Sequence, residues 1–184
     1  REAIEECEAG GIKVIFATGD HKLTAKAVAE ELGFKIEEKN ILSGEELEKL
    51  SEKDLEKIIN NIKLYYRVEP EQKLKIVQAW QKKGEVVAMT GDGVNDAPAL
   101  KKADIGVVLG SGTEVAKETA DLVLLNDSFA IITAAVKEGR AIIDNIRKII
   151  TYLLSDSFTE ILLVTVAIIA KVPLPITGVQ ILWI

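Results

Sequence analysis

Apolar and polar positions change period several times along the chain, and each change marks an element. Ala3, Ile4 and Cys7 keep helical spacing up to Gly10-Gly11, after which Ile12 to Ala17 forms an apolar, β-branched run ending in Thr18-Gly19-Asp20. Helical period returns from Leu23 to Leu32, with Ala25, Val28, Ala29 and Leu32 on one face and Gly33 as the stop. This is a strand, a polar loop and a helix. Ser43 to Leu50 and Asp54 to Ile59 read as two short amphipathic helices that serve packing. Ile62 to Val68 reads as a strand, and Pro70 opens a helix to about Lys83 whose buried stripe holds Leu74, Val77 and Trp80 or Gln81.

The run Glu85 to Ala88, with Val86, Val87 and Ala88, predicts a fully buried parallel strand that ends there. Gly91 and Gly93 then turn the backbone, Asn95 or Asp96 caps a new helix, and Pro98 sits in its first turn. Ala103 to Leu109 is a further strand, Glu114 to Thr119 a short helix and Leu122 to Leu125 a last strand. Between them, Gly110-Ser111-Gly112 reads as a tight turn rather than a nucleotide loop. Repeated alternation of strand and helix predicts an α/β fold, a parallel sheet flanked by helices. From about Phe129 the pattern is one long helix with no breaker before Pro173. Pro173 and Pro175 make a short connection, and Ile176 to Ile184 starts another apolar segment.

Composition sharpens this picture in two places. Charged residues make up 28% of the chain, yet they nearly vanish from Ile149 onward, so the long helix starts as an amphipathic stalk and becomes apolar enough to enter a bilayer. Arg147 and Lys148 mark its cytoplasmic end by the positive-inside tendency, and Lys171 falls at the far interface. A net charge of -6 without a basic cluster argues against nucleic acid as the main partner. The single Cys7 permits no internal disulfide and reads as a small buried hydrophobe. Because the chain opens on Arg1 and carries no leader, it is expected to be a piece of a longer protein.

Candidate chemistry concentrates after the strands. Asp92 and Asp96, at the carboxyl edge of one strand beside helix amides, suit a hard divalent cation such as Mg²⁺, which in turn would hold a phosphate. Asn95 can donate to a phosphate oxygen. Thr18 and the amides after it can grip another, although a helix-capping turn explains the same letters. Lys73, in the first turn of its helix, opposes the helix dipole and asks for a compensating carboxylate or phosphate; taken alone, a solvated face is the better reading, and Arg67 is similarly ambiguous. His21 reads as an exposed loop imidazole. Asp156 and Glu160 lie one turn apart within the apolar part of the long helix. Charges there cost several kcal/mol each and face a watery or ion-binding interior, Glu160 being the sharper candidate; the competing reading is a soluble helix packed in a large core.

Three motifs together give a resemblance. Thr18-Gly19-Asp20, then Arg67-Val68-Glu69-Pro70 with Lys73, then Thr90-Gly91-Asp92-Gly93-Val94-Asn95-Asp96-Ala97-Pro98-Ala99-Leu100 resemble, in order, the P-type cation-transporting ATPases of the calcium-pump branch. The long helix and Pro173-Leu174-Pro175 with Gln180-Ile181-Leu182-Trp183 fit as well. The resemblance implies that residues 1–127 are the C-terminal part of a phosphorylation domain of haloacid-dehalogenase type, 128–150 a stalk, 151–171 a transmembrane helix, and 172–184 a loop and the start of the next. It implies a multi-pass membrane protein with residues 1–148 cytoplasmic, whose partners are ATP, Mg²⁺, a transported cation (Ca²⁺ first), membrane lipid and the remainder of the same chain.

By that likeness Thr18, Gly19 and Asp20 contact nucleotide or phosphate, and Arg67 helps hold nucleotide. Lys73 neutralises the transferring phosphoryl group, Asp92 binds Mg²⁺, Asn95 the phosphate, and Asp96 supports the metal site. Glu160 matches an acidic ion ligand, whereas Ser157 stands where an asparagine is usual, which leaves the ion open. The family's nucleophilic Asp-Lys-Thr-Gly-Thr motif does not occur in the chain, so this piece alone is expected neither to turn over ATP nor to move ions. A soluble phosphatase of the same superfamily and a noncatalytic membrane-anchored regulator are the other readings.

Overall fold

The computed structural model describes residues 1–126 and 128–174; the expectations for Pro175 and for Ile176 to Ile184 lie outside them. The chain divides into two units, Arg1–Thr133 and the helical tail from Ala134.

The first unit opens with helix α1 (Glu2–Ala9), which buries none of its residues; Cys7 is therefore half-exposed, not buried. Strand β1 is only Phe16–Ala17, shorter than the apolar run before it, because hydrogen bonding to a neighbour begins at Phe16. Helix α2 (Lys22–Glu31) buries Ala25 and Ala29 and ends before Gly33, whose φ of 97° belongs to the left-handed region. Strand β2 (Ile41–Ser43) was not legible as a strand, being three residues of no clear period, yet all three are buried.

Helix α3 (Gly44–Lys49) starts from a capping box in which the Ser43 hydroxyl accepts from the Glu46 amide at 3.1 Å. Glu46 in return accepts from the Ser43 amide and hydroxyl, and these bonds hold its carboxyl below the ordinary value of 4.5. A depressed carboxylate stabilises the fold above the unfolded value and ceases to do so as pH falls through the folded one. Ser43→Ala is therefore expected to lower the unfolding free energy by about 1 kcal/mol. The loss should shrink as pH falls from 4.5 through the lower folded-state value, where the wild-type carboxylate is at last protonated, and denaturant midpoints at several pH values measure it.

Helix α4 (Glu52–Ile58), strand β3 (Leu64–Tyr66) and helix α5 (Pro70–Lys82) complete the first sheet and its cover. The sheet is parallel, in the order β1-β3-β2, with Phe16 opposite Leu64 and Leu42 opposite Tyr65. Its core holds Leu47, Leu55, Ile59 and Tyr65, all fully buried, against Ile76, Ala79 and Trp80 of α5. Each such apolar side chain contributes about 1.5–3 kcal/mol by leaving water. The stripe of α5 is thus Ile76, Val77, Ala79 and Trp80; Leu74 stays half-buried.

A second parallel sheet has the order β4-β5-β6, from β4 (Ala88–Gly91), β5 (Ile105–Leu109) and β6 (Leu122–Leu124), with helices α6 (Ala97–Lys102) and α7 (Glu114–Thr119) between them. Strand β4 begins where the sequence pattern ends it. Val86 is 79% exposed, and β4 alternates between exposed and half-buried residues. The parallel sheet flanked by helices that the alternation predicts is present, divided among the described residues into two sheets of three strands in which β1 and β4 each have a partner on one side.

The tail is helix α8 (Ala130–Ala170), unbroken over 41 residues. At 1.5 Å per residue it spans about 60 Å, roughly twice a hydrocarbon core. Along its apolar half the hydroxyls of Thr159 and Thr165 donate to the carbonyls of Ser155 and Ile161 at 2.8 and 2.7 Å, so these polar groups need no outside partner. Lys171 takes φ 54° just past its end, and Pro173 follows.

Candidate active site

Each candidate loop follows the carboxyl end of a parallel strand, where α/β sheets hold ligands. Thr18 to Asp20 follow β1, Arg67 follows β3, and Asp92 to Asp96 follow β4. The first two loops are stitched together. The Arg67 amide donates to the Asp20 carbonyl at 2.9 Å, the Val68 amide to the Thr18 carbonyl at 3.0 Å, and a Cβ on Gly19 would lie 3.8 Å from the Val68 carbonyl oxygen. The Thr18 hydroxyl donates to Asp20 Oδ2 at 3.0 Å and accepts from the Asp20 amide at 3.2 Å. That closes a local turn instead of capping α2, whose N-cap is His21.

Lys73 has the compensating anion its position asks for. Its Nζ donates to Asp96 Oδ1 at 2.6 Å, with both side chains largely out of water at 17% and 11% exposure. Asp96 is fixed from the other side by Gly91, where a Cβ would stand 2.6 Å from the Asp96 Cβ and 2.9 Å from its Oδ2. A glycine ending β4 is thus what admits the carboxylate. The pair ties α5 of the first sheet to the turn after β4 of the second.

Asp92 and Asn95 are exposed, and among the described residues neither side chain has a hydrogen-bond or ion-pair partner. The Asp92 carbonyl instead accepts from the Thr113 amide at 3.0 Å, which anchors the loop while leaving its carboxylate free. The two carboxylates therefore differ: one is open, the other already neutralised by Lys73. Among the described residues no three acidic, histidine or cysteine side chains are grouped so that they could hold a metal ion by themselves. Mg²⁺ commonly takes one or two carboxylates and fills its remaining positions with water and phosphate oxygens, so this donor set fits it.

His21 is exposed, and its partner is a guanidinium, neither a carboxylate nor a metal: Arg67 Nε donates to its Nδ1 at 3.1 Å and Arg67 Nη2 lies 2.6 Å from the same nitrogen. A separation of 46 positions carries no periodic signal, so only the fold could show it.

Residues 1–104, the stretch holding every one of these loops, match the family model described as a haloacid dehalogenase-like hydrolase. The chain belongs to that family. This haloacid dehalogenase-like chain is 51% identical, over its full length, to a calcium-transporting ATPase of Bacillus subtilis, and 49% identical over 99% of its length to a probable cation-transporting ATPase F of Mycobacterium tuberculosis. It covers 21% of each, so it spans about a fifth of these relatives. Among solved structures it is similar to a zinc-transporting PIB-type ATPase in an E2.Pi state, with 34% identity and a TM-score of 0.64 over 84% of this chain and 21% of that one. The resemblance to P-type cation-transporting ATPases read from the motifs thus extends along the whole haloacid dehalogenase-like chain and into its long helix.

Proposed function

We propose that the chain is the part of a cation-transporting P-type ATPase that carries the phosphate- and Mg²⁺-facing side of an aspartyl-phosphorylation site and the helix leading from it into the bilayer. The observation that supports this most is the largely buried 2.6 Å pair of Lys73 and Asp96, formed by the same turn that carries the exposed Asp92. Phosphoryl transfer is catalysed mainly by positioning and by stabilising charge on the transferred group, which calls for a fixed cation and open donors together.

In this reading Lys73 neutralises the phosphoryl oxygens, and Asp96 holds its ammonium in place. Asn95 and the Thr18 hydroxyl donate to phosphate, Gly19 lets the backbone of that loop come close, and Asp20 fixes the Thr18 turn. Arg67 steadies the nucleotide. Asp92 is the direct carboxylate ligand for Mg²⁺, with Asp96 in support, and the ion when bound spreads the negative charge of the phosphate. The phosphorylated aspartate comes from the rest of the protein, and the unpaired sides of β1 and β4 are where a further parallel strand can hydrogen-bond.

The same reading extends to α8: residues 151–171 cross the bilayer, residues 1–148 stay on the cytoplasmic side, and Glu160 is a ligand for the transported cation, with Ca²⁺ suggested by relatives named as calcium-transporting. The test is the intact protein in lipid vesicles. ATP hydrolysis should need Mg²⁺, rise with Ca²⁺, and pass through a protein-bound phosphate that hydroxylamine removes, as an acyl phosphate requires. Hydrolysis that forms no such phosphate and ignores cations would favour a phosphatase instead.

A further inference from the structure

Arg67 is a non-glycine residue with φ 50°, in the left-handed region that side chains avoid. Such strain persists where the surroundings over-determine it, and it collects at functional sites. Three neighbours do so. Asp20 accepts the Arg67 amide, Gly44 packs on the Arg67 carbonyl so closely that a Cβ there would overlap its oxygen, and His21 accepts the guanidinium. Gly44 is itself secured by Gln72, whose Nε2 donates to the Gly44 carbonyl at 3.1 Å while its Oε1 accepts from the Glu69 amide at 3.0 Å.

We infer that His21 and Gly44 are positioning residues for Arg67, presenting its guanidinium in one fixed orientation to an anionic ligand at the Thr18-Gly19-Asp20 loop. The inference rests on the reading that Arg67 steadies nucleotide. A guanidinium cannot accept a hydrogen bond, so Nδ1 of His21 is the unprotonated nitrogen and the ring proton sits on Nε2. The imidazole occupies the Nε and one Nη edge of the fork. The remaining N–H donors of the exposed Arg67 stay available for phosphate or ribose oxygens. Holding the fork in advance spares the ligand the ordering of a long side chain. The Gly44 contact gives the short helix α3, read from the sequence as packing alone, a part in that placement.

The experiment is a double-mutant cycle in the intact protein, read as ATP affinity and as turnover. His21→Ala removes an exposed side chain and should raise the KM for ATP by roughly three- to tenfold, more than it lowers kcat. Once Arg67→Ala is present, adding His21→Ala should cost nothing further, since one removes what the other acts through. His21→Gln, which keeps a neutral acceptor, should recover part of the loss, and Gly44→Ala should shift KM in the same direction as His21→Ala. Additive losses at His21 and Arg67, or an unaltered KM in His21→Ala, would overturn the inference while leaving the pump reading in place. A wild-type protein without Mg²⁺-dependent hydrolysis would overturn both.

Discussion

Lys73→Met in the intact protein is expected to lower the rate of phosphoryl transfer by about two to three orders of magnitude, the usual cost of removing one preorganised electrostatic group. It should also destabilise the domain. Asp96 is 11% exposed and loses the cation it pairs with, and a buried ion pair broken from one side costs on the order of 3–5 kcal/mol. The two effects separate in a second variant. Lys73→Met with Asp96→Asn leaves no unpaired charge, so the melting temperature should rise most of the way back while turnover stays low. Calorimetry and single-turnover phosphorylation on the same preparations decide it. Recovery of turnover along with stability would mean that Lys73 serves the fold and not the phosphate.

That pair also shows what could be read in advance. A lysine in the first turn of α5 opposes the helix dipole, and this local conflict raised a carboxylate or phosphate partner only as an alternative to the favoured solvated face. Asp96 was visible separately, as one letter of a glycine-rich turn. That the two meet depends on how α5 lies against the turn after β4, a tertiary fact with no period in the chain. The strand, loop and helix order was legible because Gly10-Gly11, Gly33 and Pro70 interrupt the apolar rhythm where elements change.

The errors have physical causes. Val86 and Val87 look like strand interior, yet the ladder to β5 begins at Ala88, opposite Ile105. An apolar run shows where side chains tolerate burial, not which residues the neighbouring strand engages. β2 was missed because three residues are too few for a period, and their burial comes from contacts with β3 and α3. His21 with Arg67, and Gly44 with Arg67, were hidden for the same reason as Lys73 with Asp96: each joins segments that follow different strands. The long helix was the easiest to read, since it needs no partner to define it.

Glu160→Gln should uncouple that helix from the phosphorylation site. The substitution keeps the size and hydrogen-bonding reach of the side chain but removes its charge, so α8 should form as before. Asp156 and Glu160 are four positions apart and hence on one face, while the hydroxyls of Thr159 and Thr165 are already satisfied by their own helix. Of these groups the carboxylates have no hydrogen-bond or ion-pair partner among the described residues, and an intramembrane acid is expensive unless it faces an ion path.

The expected result in vesicles is loss of Ca²⁺-stimulated ATP hydrolysis and of Ca²⁺ uptake, with apparent Ca²⁺ affinity down by at least about tenfold, the equivalent of 1.4 kcal/mol. Phosphorylation from inorganic phosphate and Mg²⁺, which draws only on Lys73, Asp92 and their neighbours, should survive. This contrast is opposite to that of Lys73→Met, where both routes of phosphorylation fail. If Glu160→Gln transports normally, the acid has no role in the ion path. If it loses phosphorylation from phosphate as well, the substitution has disturbed the cytoplasmic domain, and the division of labour between the two ends of the chain is wrong.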